Sequence, residues 1–442
     1  MDMYLPRWVT ECLDALEQAG FAAYAVGGCV RDACLHKTPN DYDLCTQALP
    51  QQTQEVFKNR KLVLAGLKHG TVGVITEGGV VEITTFRKEG NYEDNRHPDW
   101  VDFVDSVEED LARRDFTINA MAYSPKRGFA DPFAGREDLS AGILRAVGEP
   151  ERRFGEDALR ILRGARFAAR FHLRVEEKTA AAMKKQADLL CHLARERVFE
   201  ELSRFLLCAG KEDLIAFAPV LAAAIPQLAP MIGFDQKTPH HAYDLYTHTA
   251  LVVSQVPEDL TLRWAALLHD VGKVPTFTVD EKGRGHFYGH DQIGAELADQ
   301  ILLELKSPTN LRQQAVTLVK KHMDLLPEDR KLLRRRVSRL GMELTEKLMY
   351  LQRADACSKG GDTGEALEHF ERVQSLLKDL RREDACLRLT DLKISGYDLM
   401  ALGYQGKQIG ACLQRLFSLV LDEEIPNDRE RLLERARSFS EN

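Results

Sequence analysis

Asp41 and Asp43 stand two residues apart, shortly after the run Gly27-Gly28-Cys29-Val30-Arg31-Asp32. Residues i and i+2 of a strand point to one face, so this pair projects together and offers hard oxygen ligands to a cation such as Mg²⁺. The glycines let the backbone approach a ligand closely, and a helix opening after them presents free N–H groups to an anion. Glu82, in the β-branched run Val80-Val81-Glu82-Ile83-Thr84-Thr85-Phe86, is a charge among apolar neighbours that would be costly if unpaired. Three carboxylates on adjacent strands can grip two metal ions about 3.5–4 Å apart, the arrangement for in-line phosphoryl chemistry. Gly28 and Arg31 would hold the triphosphate, and Asp41, Asp43 and Glu82 would act on it.

Those residues need strand, turn, helix and strand in that order. Residues 21–26 form an apolar run ending at the glycine pair, 29–36 suit a helix, Lys37-Thr38-Pro39-Asn40 is a breaker cluster, and 41–46 can be extended. Residues 61–66, 71–76 and 80–86 are further strand candidates, and 3–19 suit an amphipathic helix packed on the sheet. Residues 87–105 are polar, contain Gly90 and Pro98, and read as a loop beside the site.

A second constellation is built for reading a base. Gly155-Glu156-Asp157-Ala158-Leu159-Arg160 is expected to open a helix, with Asp157 and Arg160 sharing a face. Cytosine and adenine each present an exocyclic amine beside a ring-nitrogen acceptor. An aspartate accepts from the first and an arginine donates to the second. Uracil and guanine reverse both contacts, and mispaired buried polar groups cost roughly 1–3 kcal/mol each. One fixed pair thus admits C and A and rejects U and G. The same spacing also fits a surface ion pair.

In this order the blocks resemble the polymerase-β-type nucleotidyltransferases, and more closely the bacterial class II tRNA nucleotidyltransferases, the CCA-adding enzymes, with their poly(A) polymerase relatives. The resemblance implies an α+β head with a small mixed sheet and an otherwise all-α body. It implies addition of C, C and A to the 3′ end of tRNA from CTP and ATP, with two Mg²⁺ at Asp41 and Asp43. Asp157 and Arg160 would select the base, followed by Arg163 and by Arg166, which would touch the triphosphate or only a neighbouring helix. Arg114, in Leu111-Ala112-Arg113-Arg114-Asp115-Phe116-Thr117-Ile118-Asn119-Ala120, would contact the nucleotide. The block Arg195–Leu202 would brace the base-reading helix, the loop 87–105 would allow the change from C to A, and 389–433 would hold the tRNA elbow.

Leu267-Leu268-His269-Asp270-Val271-Gly272-Lys273 resembles the signature of HD-domain phosphohydrolases. His248, His269, Asp270 and Asp355 would supply mixed nitrogen and oxygen ligands to one divalent ion, and His290 with His322 would hold a second. Such sites suit transition metals such as Mn²⁺, Ni²⁺ or Fe²⁺, or Mg²⁺, more than structural zinc. The implied activity is hydrolysis of a phosphate ester on an RNA end.

The 442 residues suffice for several domains: a head over 1–145, a helical neck over 146–235, a histidine-bearing helical region over 236–359 entered near Pro230, Gly233 and Pro239, and a tail over 360–442. A hydrophobic content of 44% with 29% charged residues is that of an ordinary globular protein, and no run of 18 apolar residues exists to span a membrane. Met1-Asp2-Met3-Tyr4-Leu5-Pro6 does not read as a signal peptide, and nine scattered cysteines without a Cys-x-x-Cys pair fit reduced thiols, so a cytoplasmic enzyme is expected. A net charge of −8 excludes a protein that coats nucleic acid but allows a local basic groove. The basic stretch Arg330–Arg339 is either a solvated helical face or part of an RNA track. The competing functions are a poly(A), CC-adding or A-adding polymerase, a phosphohydrolase with the head as an RNA-docking module, and a non-catalytic nucleotide-binding regulator.

Overall fold

The computed structural model describes residues 3–90, 101–238, 242–383 and 385–440. Residues 91–100 of the expected loop, and Pro239, lie outside the described residues. The chain divides into two compact units, Met1–Ala229 and Pro230–Asn442.

The first unit begins with the helix Arg7–Gln18, four residues later than expected, which buries Val9, Cys12, Leu13 and Leu16 along one stripe. Among the described residues up to 130, nine strands follow: β1 (Ala23–Val26), β2 (Asp43–Thr46), β3 (Leu62–Val63), β4 (Thr71–Thr76), β5 (Gly79–Thr85), β6 (Arg87–Glu89), β7 (Val101–Phe103), β8 (Ala122–Ser124) and β9 (Gly128–Ala130). Seven form one mixed sheet in the order β3-β4-β5-β2-β1-β8-β9. Only β2 and β5 run parallel, and their register sets Asp43 beside Glu82. On the other side β1 pairs antiparallel with β2, placing Val26 beside Asp43. The core behind this row holds Val26, Cys45, Phe86, Leu111, Ala122 and Val147.

Three local expectations change. The run 61–66 keeps only two extended residues before the chain turns into a short 3₁₀ segment. The expected loop 87–105 begins and ends in strand, because β6 and β7 pair antiparallel with Arg87 opposite Phe103. The body is not purely helical: Ile143–Leu144 pairs with Arg174–Val175, and Thr278–Val279 with Gly285–His286, each two residues long.

After the head come the helices Pro150–Glu156 and Leu159–Phe171, and the latter packs against Arg195–Cys208. Asp157 is not inside a helix. It sits in extended conformation (φ −141°, ψ 102°) at the break between the first two, where its carbonyl accepts from Arg160 N at 3.0 Å.

The second unit is a helical array in which Leu245–Gln255, Leu260–Leu268, His290–Glu304, Thr309–Lys321 and Met342–Cys357 surround the histidine cluster. Gly272 is there because a Cβ would meet the carbonyl oxygen of His290 at 2.2 Å, so the His-Asp turn lies directly on the next helix start. The basic stretch forms the helix Arg330–Leu340, and most of its charge is spent internally. Arg334 is buried and donates to the carbonyls of Leu421 and Val420 at the end of the helix Lys407–Leu421, Arg335 grips Asp422 bidentately at 2.7 and 2.6 Å, and Arg336 pairs with Asp324. An arginine fork at a helix C-terminus satisfies orphan carbonyls and complements the dipole. These contacts favour a clamp between two helical layers over an RNA track.

Candidate active site and metal cluster

Gly27 has φ +76°, and a Cβ there would stand 3.0 Å from Arg114 Nη1, so glycine is required both by the turn and by this arginine. The seven-residue helix Gly28–Cys34 carries Arg31 inward. Arg31 is buried, donates to Asp32 at 2.9 and 2.7 Å and to Asn119 Oδ1 at 2.6 Å, and lies 4.4 Å from the Phe171 ring centroid.

Gly28, Arg31, Asp41, Asp43, Arg114, Asp157, Arg160, Arg163 and Arg166 all line one cavity of about 530 Å³. Glu82 does not line it; it stands beside Asp43 in register. It is also exposed: its apolar neighbours Val81 and Ile83 point to the other face, so it does not bear the burial expected of it. Asp43 is crowded by charge. Desolvation, with Asp41 and Glu82 beside it, pushes its carboxyl up to about 6. Like charges held together this way call for a cation.

Asp157 and Arg160 are both wired into the protein. Asp157 Oδ1 accepts from Leu159 N at 3.0 Å and Oδ2 from Arg197 at 3.1 Å. Arg160 donates to the Arg153 and Arg113 carbonyls at 3.0 Å each and to Glu156 at 2.9 Å. Such contacts fix both side chains before a base arrives. Arg163 donates twice to Asp115 Oδ2, at 2.8 and 2.6 Å, and Arg166 donates to Glu201 at 2.6 and 3.4 Å. Arg166 thus touches the neighbouring helix Arg195–Cys208 while it also lines the cavity.

Sequence reasoning passed over the acids that organise these arginines. Asp115 takes Arg163, the Phe116 amide and Asn119, and Asn119 in turn takes Arg31. A polar relay thus runs from the glycine-turn helix to the helix Leu159–Phe171. Asp110 is wholly buried under Arg113 and Arg114 and accepts from the Arg87 amide where β6 begins. Asp115 adjoins the arginines already singled out, so its place in that block was the available signal; Asp110 gave none.

Burial works against the Asp115 charge, but Arg163 and Asn119 win and hold its carboxyl at about 2. A depressed carboxylate pKa contributes stability that is complete above the unfolded value near 4 and is lost as pH falls from there toward 2. The contribution is roughly 2 kcal/mol. Acid titration of the melting temperature is therefore expected to fall through that window, with a shallower fall in Asp115→Asn.

In the second unit the ligand atoms of His248, His269 and Asp270 lie within 4.8 Å of one another, as do those of Asp270, His290 and His322. Asp355 Oδ1 is 3.1 Å from His248 Nε2 and 3.9 Å from His269 Nε2. Every one of the four histidines has Nδ1 on a backbone carbonyl: Ser358 at 3.2 Å, Ala266 at 2.8 Å, Phe287 at 2.8 Å and Val319 at 2.6 Å. A donating Nδ1–H leaves Nε2 as a lone pair, and all four Nε2 atoms turn into the cluster. His290 and His322 thereby face each other, Nε2 to Nε2, at 3.2 Å. Buried His269 Nε2 makes no hydrogen bond and lies 3.2 Å from Asp270 Oδ2. Lone pairs turned on one another and on carboxylates fit a bound cation.

Burial alone would lower the His269 pKa, but Asp270 and Asp355 hold it above its ordinary value. Burial and His269 push His322 down to about 4. Asp270 and Asp355 stay ionised against burial, Asp270 through His269 and Lys273 and Asp355 through His248 and Lys359. Neutral His322 and the two charged carboxylates are in the protonation states that a metal requires, and an incoming cation would displace the proton that Asp270 and Asp355 favour on His269.

Among the described residues no helix is long and apolar enough to cross a membrane. The model of the Poly A polymerase head domain matches residues 23–145, that of the HD domain residues 241–360, and that of the probable RNA and SrmB-binding site of polymerase A residues 172–212. The CCA-adding enzyme of Streptococcus thermophilus (strain CNRZ 1066) is 48% identical over 207 residues, 46% of this chain. That match spans only about half of the relative, 51% of its length. The CCA-adding enzyme of Streptococcus mutans is 33% identical over 439 residues, 98% of each chain. The crystal structure of the Bacillus stearothermophilus CCA-adding enzyme in complex with CTP superposes with a TM-score of 0.72 at 28% identity, covering 99% of this chain and 98% of that one.

Proposed function

The chain belongs to the family of CCA-adding enzymes, and from that premise we propose that it adds C, C and A to the 3′ end of tRNA, using CTP and ATP and releasing pyrophosphate. The observation that carries this reading is the single cavity in which Asp41 and Asp43, the phosphate-directed Arg31 and Arg114, and the pair Asp157/Arg160 all stand. Asp41 and Asp43 would hold two Mg²⁺, with Glu82 as the neighbouring third carboxylate. When bound, these ions supply activation of the RNA 3′-hydroxyl and stabilisation of the departing pyrophosphate.

The remaining steps fall to the chain's own groups. Gly28 and Arg31 would seat the triphosphate, with Arg114 beside the glycine turn. Asp157 would accept the exocyclic amine and Arg160 would donate to the ring nitrogen. Arg163 and Arg166 would face the nucleotide from the same cavity, held in place by Asp115 and Glu201. The change from C to A would fall to 87–105, whose first strand hangs from Asp110 through the Arg87 amide. The division into head, neck, histidine-bearing region and tail is retained as part of the proposal. A base-reading role for Asp157 predicts that Asp157→Ala lowers kcat/KM for CTP and ATP by about 10–100-fold while narrowing their advantage over UTP and GTP. Competition assays on a 3′-truncated tRNA read that ratio, and an unchanged ratio would count against the role.

The convergence of four carbonyl-anchored histidines favours a second activity. We propose that His248, His269, Asp270 and Asp355 hold one divalent ion, of the Mn²⁺, Ni²⁺, Fe²⁺ or Mg²⁺ class, and that His290 and His322 extend the set to a second. When bound, it supplies Lewis-acid activation for phosphate-ester hydrolysis. Elemental analysis of the dialysed chain, with and without Asp355→Ala, tests the ligand set.

A further inference from the structure

A cavity of about 400 Å³ opens beside the histidine cluster, with Asp270, His290 and Asp355 at its acidic end. Two cations stand with them: Lys273 Nζ is 2.8 Å from Asp270 Oδ2, and Lys359 Nζ is 2.9 Å from Asp355 Oδ2. Acids that hold metal together with lysines that accept negative charge suit the phosphate end of a ligand.

The other end of the lining is aromatic. Two residues after the strand pair Thr278–Val279 and Gly285–His286 comes Tyr288, which is 78% exposed. Its ring lies parallel to that of His286, centroids 5.4 Å apart and planes 5° apart. His286 is itself held, Nε2 to Asp280 Oδ2 at 3.0 Å, and the Tyr288 hydroxyl lies 3.4 Å from His286 Nδ1. The tyrosine thus has one face braced and the rest in solvent, and core packing does not account for it. A rigid, open π-face beside a phosphate-type cavity is what stacks a nucleobase.

We infer that Tyr288, braced by His286, is the base platform of the histidine-cluster site and sets its preference for a nucleoside phosphate over a base-free phosphate ester. This rests on the metal-cluster reading above. The base lies on Tyr288 and the phosphate lies toward Lys273, Lys359 and the histidines.

The test is calorimetric titration of the full-length, Mn²⁺-loaded chain with cytidine 5′-monophosphate and with ribose 5-phosphate, which carries an anomeric hydroxyl in place of the base. Binding that persists in Asp355→Ala is assigned to the head and subtracted. Stacking predicts that the nucleotide binds about tenfold or more tightly than the sugar phosphate. Tyr288→Ala is expected to erase that advantage without changing ribose 5-phosphate binding, and Tyr288→Phe to keep it. Electron paramagnetic resonance counts the bound Mn²⁺, which should fall in Asp355→Ala and stay constant in Tyr288→Ala. Unchanged Mn²⁺ in Asp355→Ala overturns the metal reading. Normal Mn²⁺ with undiminished nucleotide binding in Tyr288→Ala overturns the platform alone.

Discussion

Asp43→Ala is expected to lower nucleotide addition by at least about a thousandfold, the scale of losing a group that acts in the transition state. The loss should appear in kcat, since the cavity keeps its arginines and still binds the triphosphate. Fold stability should hold or rise slightly. Desolvation, with Asp41 and Glu82 beside it, raises Asp43 to about 6, so removing it relieves both burial of a charge and repulsion. Single-turnover addition to a truncated tRNA, paired with a thermal melt, separates the two effects. Hydrolysis of a phosphate ester by the second unit should survive unchanged. A variant that keeps a tenth of the wild-type rate would remove Asp43 from the chemistry. A variant that loses hydrolysis in parallel would point to unfolding.

Glu201→Ala is expected to destabilise the first unit by about 3–5 kcal/mol, the cost of stranding one partner of a buried ion pair. Glu201 and Arg166 expose only 5% and 7% of their side chains, and the guanidinium donates at 2.6 and 3.4 Å. Arg163 Nη1 also lies 3.9 Å from Glu201, so two cations lose their counter-charge. Replacing both partners by apolar residues of similar volume, Arg166→Met with Glu201→Leu, should recover much of the loss. Denaturant unfolding of the single and double variants reads the difference. A cost below about 1 kcal/mol would mean that water reaches the pair.

The sequence carried the glycine turn and the acidic pair because each depends on residue type and short spacing, whereas the histidine set, spread from His248 to Asp355, was legible through the resemblance of the His269-Asp270 run. Asp41 and Asp43 face one cavity although Asp41 lies just outside β2, and the Asp43–Glu82 register comes from the parallel pairing of β2 with the β-branched β5. Two things were hidden. Helix breaks depend on local caps: Asp157 accepts the Leu159 amide and so sits at a junction rather than inside a turn of helix. Long-range ion pairs leave no periodic trace, so neither the hold of Asp422 on Arg335 nor that of Asp115 on Arg163 could be read from spacing. The exposure of Glu82 was misjudged for a related reason. Apolar neighbours at i±1 in a strand describe the opposite face, not the one the residue itself occupies.

The central claim is that one fixed cavity selects C and A and joins them to an RNA end. The most direct measurement is incubation of tRNA ending before its terminal C-C-A with each nucleoside triphosphate, singly and together, resolved at single-nucleotide length. The account predicts C addition with CTP alone, three added nucleotides and then arrest with CTP plus ATP, and none with UTP or GTP. Long adenylate tails from ATP alone, or extension by UTP as readily as by CTP, would contradict it.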